Sequence, residues 1–407
     1  MPASIISRRS LLQLAGTGAA LGTMGPIGIA FAQAATDNRL VVIMLRGAMD
    51  GVAAVPPYGD SRYHERRGSL ALPMPGEADG ILKLDGTFGL HPALAPIQPL
   101  WDQGQLLIVH ATTGGFHTRS HFDAQDYLEM GLNERNSSVG GWLNRAVGAL
   151  PQRASGRELG LALGPVVPLM MRGSVPVASW EPEDMRPPSA SLLTQVSELY
   201  AKDPVLGPAL SEGIKAQHLA VEALGKEMTG KGGYSGDAFK TYAKAAGGLL
   251  AAEAGPRIAM FDIGGWDTHV SQGTVKNGRL APNFASLAAG LEELRKSLGP
   301  IWARTVVVCA TEFGRTVAPN GTNGTDHGTA SATFVLGGAV KGMRMAGDWP
   351  GLGSLYENRD LKGATDVRAV FKGVLRDHLG IEKTVLDARI FPESGAVKPI
   401  DGLVRVA

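Results

Sequence analysis

The chain has 407 residues, 44% of them hydrophobic, which is enough apolar material for a large core in one large domain or two smaller ones. Thirty-nine basic residues stand against 38 acidic ones for a formal charge of +1, with no dense lysine or arginine stripe, which argues against a nucleic-acid partner. The single cysteine, Cys309, sits inside the apolar run TVVVCA, so no disulfide framework or thiolate zinc site is available within the chain.

The amino terminus reads as an address. Ser7-Arg8-Arg9-Ser10-Leu11-Leu12 opens a moderately apolar stretch reaching about Ala30, and Ala30-Phe31-Ala32 supplies small residues at cleavage spacing. This resembles a twin-arginine export signal over residues 1–32, with the mature chain, 33–407, beginning near Gln33. Gly16, Gly18, Gly22, Gly25, Pro26 and Gly28 make the stretch a poor membrane helix, although its length is near the ~20 residues that span a bilayer. The expectations are a periplasmic or secreted protein, the twin-arginine machinery as a partner, and no permanent membrane span.

Past the signal, short apolar runs alternate with amphipathic segments. Strands are expected at 40–45, 105–109, 159–163, 167–171, 257–261, 305–309 and 333–336, mostly as continuous β-branched or leucine runs of the kind covered on both faces. Helical periods fall at 121–130, 141–147, 191–200, 208–228, 238–252, 283–298 and 366–379. This order predicts an α/β protein with a doubly wound, mainly parallel sheet. The stretch 189–252 is helical in pattern, is interrupted by a loop at 230–236 and carries few site-type residues, so a helical insertion or cap is expected there. The mature chain has no internal repeat and no glycine-rich phosphate loop of Walker or Rossmann spacing.

Acid, histidine and hydroxyl side chains cluster where the apolar runs end, the edge at which an open α/β sheet gathers distant segments. Asp50 follows the first run in LRGAMDG, between Gly47 and Gly51. Ser120 lies at a predicted helix start in HTRSHFDAQD, where free N–H groups favour an alkoxide or a bound anion, with Arg119, His117 and His121 beside it. Paired with Asp123, Ser120 equally fits a variant capping box that needs no chemistry. Asp267 and His269 follow a strand and Gly264-Gly265, two residues apart and able to face one ion. Glu312 ends another strand in TEFGRT, with Arg315 close behind, and Asp326-His327 sits in the glycine-rich loop 321–328. These are the side-chain types that hold hard and borderline metal ions. Elsewhere, His91 precedes a proline as a helix cap or crevice residue, and His378 lies on a face of a late helix.

The motifs LVVIMLRGAMDGV, HPALAPIQPLWDQGQL, TRSHFDAQDYLEMG, DIGGWDTH, TEFGRT and GTDHG resemble, in that order and over residues 38–390, the domain-of-unknown-function family 1501, a branch of the alkaline phosphatase-like superfamily. The resemblance implies roles. Asp50 matches the first-strand aspartate of one metal site, and Ser120 falls where the superfamily's hydroxyl nucleophile begins a helix. Asp267 and His269 resemble the second site's pair, with Asp-x-His in place of Asp-x-x-x-His, and His327 resembles its last histidine. Glu312 stands where the superfamily has an Asp-His pair, so Phe313 replaces an imidazole.

The implied arrangement is a site of Asp50, Ser120 and Glu312, suited to Mg, Mn or Ca, and a site of Asp267, His269 and His327, suited to Zn or Mn, for one or two divalent ions per chain. Asp326, His121, His117, Arg315 and Arg46 would support them. The implied activity is an exported, metal-dependent hydrolase of a phosphate or sulfate ester, on a small molecule or a polysaccharide. Ser120, Thr118 or water would attack, and Arg119, Arg46 or Arg315 would neutralise the ester's oxygens. The alternative is a non-catalytic periplasmic binding or assembly protein that keeps the fold, to which Phe313 points. A redox enzyme finds neither a dinucleotide fingerprint nor a cysteine pair.

Overall fold

Six of the seven residues of the strand RLVVIML are apolar, and all seven are buried. The computed structural model describes residues 36–114, 118–132, 140–150, 159–164, 166–181, 190–203, 207, 210, 238–253 and 255–405. In chain order the strands are β1 (Arg39–Leu45), β2 (Leu82–Lys83), β3 (Gly89–Leu90), β4 (Leu106–Thr113), β5 (Gly160–Leu163), β6 (Ala178–Trp180), β7 (Ile258–Ile263), β8 (Thr305–Ala310), β9 (Ser331–Leu336), β10 (Arg344–Ala346) and β11 (Thr365–Asp366). The principal helices are α1 (Gly51–Ala54), α2 (Tyr63–Arg67), α3 (Gln98–Asp102), α4 (His121–Met130), α5 (Trp142–Ala149), α6 (Ala190–Tyr200), α7 (Ala238–Ala251), α8 (Leu280–Leu298) and α9 (Val367–Leu379).

Among the described residues, nine strands form one sheet in the order β10-β4-β9-β8-β1-β7-β5-β6, with β11 also on β4. β1 lies between β7 and β8 and is parallel to both, and only β9 runs against its neighbours β4 and β8. The fold is therefore the α/β, mainly parallel, doubly wound architecture that the alternating runs predict. Leu40, Val42 and Met44 of β1 enter a core with α5 and α9, in which Trp142 stacks on Phe371 at 4.6 Å. Helices α7 and α8 pack together where Gly290 lacks a side chain: a Cβ there would lie 2.1 Å from the Phe239 ring. Helix α6 belongs to a compact unit separate from the one that holds the sheet. Among the described residues, no helix is long and apolar enough to cross a membrane.

Two differences from the sequence expectation have local causes. The strand expected at 167–171 is instead a short 3-10 turn, Leu169–Met171. Pro168 opens it without an N–H to give a ladder, and the Met170 N–H donates to the Glu129 carboxylate at 2.9 Å. The short strands β6 and β10 carry too few apolar residues for periodicity to reveal. The helix expected at 208–228 and the residues of the export signal lie almost wholly outside the described residues.

Candidate metal centre

Because β7, β1 and β8 are parallel neighbours, their carboxyl ends lie at one edge, and the chain leaves β1 as Arg46-Gly47, β7 as Gly264-Gly265 and β8 as Thr311-Glu312. Gly47 has φ +115, and a Cβ on it would lie 2.6 Å from the Asp267 backbone nitrogen. Only glycine lets the turn after β1 lie this close to the segment that carries Asp267 and His269. Gly324 does the same on the other side, against the His269 carbonyl.

Three histidines from distant segments meet there. His327 Nδ1 donates to the Arg119 carbonyl at 2.7 Å, His121 Nδ1 pairs with Glu312 Oε1 at 2.8 Å, and His269 Nδ1 faces Asp326 Oδ1 at 3.3 Å. Each ring thus spends its Nδ1 proton on an acceptor, so each neutral ring carries its lone pair on Nε2. The Nε2 atoms converge: that of His327 lies 3.0 Å from His121 and 2.9 Å from His269. Asp267 Oδ1 is 3.2 Å from His327 Nε2 and 3.0 Å from His269 Nε2, and its Oδ2 is 3.5 Å from His121 Nε2. The ligand atoms of His121, Asp267 and His327 all lie within 4.8 Å of one another, and His269 joins them through the other two.

Lone pairs and a carboxylate aimed at one point repel one another without a cation between them. Imidazole nitrogens with one carboxylate are a donor set for Zn or Mn, and acceptors on the far ring nitrogens are the usual companions of metal-bound histidine. The surrounding charge agrees. Asp267, Glu312 and Asp326 bring three carboxylates together, and the buried guanidinium of Arg315 donates to Asp267 Oδ1 at 2.5 Å. Burial pushes the Asp267 carboxyl up, but Arg315 and the adjacent imidazoles bring it below the ordinary range. The same contest ends low for Glu312, where donation from His121, Gln125 and the Gly47 N–H outweighs burial. The hydrogen bond to Glu312 raises His121, and burial lowers His327.

The other residues singled out by sequence have definite places. Phe313, at the expected imidazole position, stacks on His121 with centroids 4.8 Å apart and packs on His327 at 5.2 Å. It forms an apolar wall with Ala48 and Ala124. Among the described residues, Glu312 is joined to the cluster through His121. Asp50 is buried in an ion pair with Arg67, accepts from Gln272 at 2.7 Å, and caps α1 through the Ala53 N–H at 3.0 Å. Its carboxylate is thereby already engaged as the partner of a fully buried guanidinium, and Arg67 holds it low against the cost of burial.

Ser120 is the N-cap of α4, its Oγ accepting from the Asp123 N–H at 3.5 Å. The expected arginine clamps are already engaged. Arg119 pairs with Asp360 at 2.7 Å and Glu357 at 2.6 Å, and Arg46 pairs with Glu129 at 2.8 Å and Asp262 at 2.9 Å. Asp326 supports His269 and accepts from Asn320 at 3.0 Å. His117 lies outside the described residues. Sequence reasoning placed His121 among the supporting residues, whereas its Nε2 belongs to the cluster, and it missed Gln125, Arg67, Gln272 and Asn320. One signal was available: His121, Gln125 and Glu129 repeat at four-residue spacing on a single helix face.

Fold and site together define an α/β protein whose parallel strands deliver a histidine–carboxylate cluster to the carboxyl edge of the sheet. The chain belongs to the family described as protein of unknown function (DUF1501), which matches residues 37–388. Among curated proteins none matches it. Similar solved structures include Ps i-CgsB, at 12% identity and TM-score 0.41 over 90% of this chain and 75% of that one. The lipoteichoic acid synthase LtaP from Listeria monocytogenes is another, at 11% identity and TM-score 0.37 over 92% and 78%.

Proposed function

We propose that this chain is an exported, divalent-metal-dependent hydrolase of phosphate or sulfate esters. The observation that carries the reading is the convergence of the His121, His327 and His269 Nε2 atoms on the Asp267 carboxylate, each ring turned inward by an acceptor at Nδ1. His121, His327 and Asp267 would hold one ion, with His269 at its side. A divalent ion there supplies Lewis-acid polarisation of a phosphoryl or sulfuryl oxygen. Arg315, buried behind Asp267, keeps that carboxylate ionised and aimed at the cluster. Ser120, next in the chain to His121, is the nucleophile in this reading. Among the described residues its Oγ has the long contact from the Asp123 N–H to give up, and the helix start favours the developing negative charge. Export through the signal at 1–32, a periplasmic or secreted location, a small-molecule or polysaccharide ester as substrate and a helical insertion within 189–252 belong to the same reading.

The test is elemental mass spectrometry on natively exported protein, combined with a panel of aryl phosphate, phosphodiester and sulfate esters. One ion per chain, absent from His327→Ala, with turnover abolished in Ser120→Ala, supports the hydrolase. Protein with no divalent metal sinks it. A second reading, a metal-bearing binding protein without turnover, is favoured by one observation: Arg46, Arg119 and Arg315, the expected clamps for ester oxygens, are all paired with carboxylates. Metal bound stoichiometrically with every ester untouched would select it.

A further inference from the structure

The cluster depends on which nitrogen of His121 carries the proton, and the residues that set this extend well beyond the cluster. Helix α4 presents His121, Gln125 and Glu129 at successive four-residue steps, and Arg46, at the end of β1, lies across the last two. A guanidinium can only donate. The Arg46 Nη1 contact to Gln125 Oε1 at 3.0 Å therefore fixes the amide oxygen toward Arg46 and turns the amide NH2 the other way. That NH2 donates to Glu312 Oε1 at 2.8 Å, and the Gly47 N–H donates to the same oxygen at 2.8 Å. With those donors in place Glu312 has only acceptor capacity to offer His121, so the ring must present Nδ1–H to it at 2.8 Å and direct the Nε2 lone pair at Asp267 and His327. Arg46 is itself held by Glu129 and Asp262, and Glu129 is anchored by the Met170 N–H.

We infer that Gln125 is a positioning residue for the metal centre: aligned by Arg46, it orients Glu312 and through it sets the ring orientation and tautomer of His121. The consequence for affinity rests on the metal reading given above, whereas the consequence for the ring does not. In Gln125→Leu, Glu312 Oε1 keeps two of its three donors and Arg46 loses an acceptor. The apolar chain is similar in size and sits on a helix, where leucine is well tolerated.

The experiment has two arms. In metal-free protein, long-range ¹H–¹⁵N spectra report the protonated nitrogen of His121; wild type is expected as the Nδ1–H form, and Gln125→Leu as a mixture with Nε2–H. In the second arm, zinc alone is titrated against a chromophoric chelator. Supporting residues of metal-bound histidines typically control 10–100-fold in affinity, so about a tenfold weakening is expected in Gln125→Leu. Arg46→Met, which frees the Gln125 amide to flip, should move both readouts the same way and stands in if Gln125→Leu does not fold. Unchanged His121 signals together with zinc affinity within twofold of wild type would overturn the inference. Failure of wild type to bind zinc, with the ring response intact, would instead count against the metal reading and leave Gln125 as the residue that orients His121.

Discussion

The sharpest separation between a fold charge and a metal ligand comes from comparing Asp50→Asn with His327→Ala. Asparagine keeps the shape of Asp50 and, with its amide oxygen at Oδ1, the acceptor for the Ala53 N–H, but it removes the charge and sets an NH2 against the Arg67 and Gln272 donors. It strands the fully buried Arg67 guanidinium, and breaking one side of a buried ion pair costs about 3–5 kcal/mol. With roughly 2.1 cal/mol/K of unfolding entropy per residue over the roughly 310 described residues, Tm should fall by about 5–8 °C. His327→Ala removes one hydrogen bond to the Arg119 carbonyl from a partly exposed ring, worth about 1 kcal/mol, so Tm should move by only about 1–2 °C. Its loss should appear in metal content. The assay is thermal melting after chelation, paired with elemental mass spectrometry after reloading. If Asp50→Asn lost its metal as completely as His327→Ala while melting like wild type, the structural assignment of Asp50 would be wrong.

Gly47→Ala should damage the centre from outside it, because alanine at φ +115 is strained and its Cβ would press on the Asp267 backbone; zinc affinity should drop at least tenfold, and a wild-type affinity would refute this. Metal should stabilise the fold: zinc at about 100 times its Kd adds about 2.7 kcal/mol, near 3–4 °C in Tm, and chelator should abolish the increment in wild type and have no effect on His327→Ala. Acid should destabilise the protein before most carboxylates titrate. Burial holds His91, His110 and His378 at about 4, against about 6.5 in the unfolded chain, so between these values the unfolded state takes up protons that the folded state refuses. Stability is then full above about pH 6.5 and falls by up to about 3 kcal/mol per histidine as the pH drops toward 4. Melting temperatures that stay flat from pH 7 to 5 would contradict it, and His378→Gln, which retains a donor for the Arg39 carbonyl, should flatten part of the slope. Lys372 is buried, with Nζ donating to Asp387 at 2.6 Å and to the Ser394 and Val397 carbonyls at 2.7 and 2.9 Å; Lys372→Ala should cost about 2–4 kcal/mol by orphaning those acceptors, read as a lower denaturant midpoint.

Local pattern was enough for most of the architecture. The runs that became β1, β4, β7, β8 and β9 are too apolar for any place except a sheet covered on both faces, and helix α4 begins and ends where Ser120 and Gly131 mark its caps. The same pattern identified Asp267, His269 and His327 as residues at strand ends, because polar groups beside glycines at such an edge have few other uses.

Pairing was beyond its reach. Nothing local in LRGAMDG says that Asp50 will meet Arg67 on α2 and Gln272 in a distant loop and so be spent on the interior. Nothing in HTRSH says that His121 will turn its Nε2 into the cluster while Arg119 turns toward Asp360. Chain pattern determines which side chains reach the edge of the sheet. Which of them share a charge, a proton or an ion depends on contacts between distant segments, 265 residues apart in the case of Gly47 and Glu312, and only the assembled fold decides those.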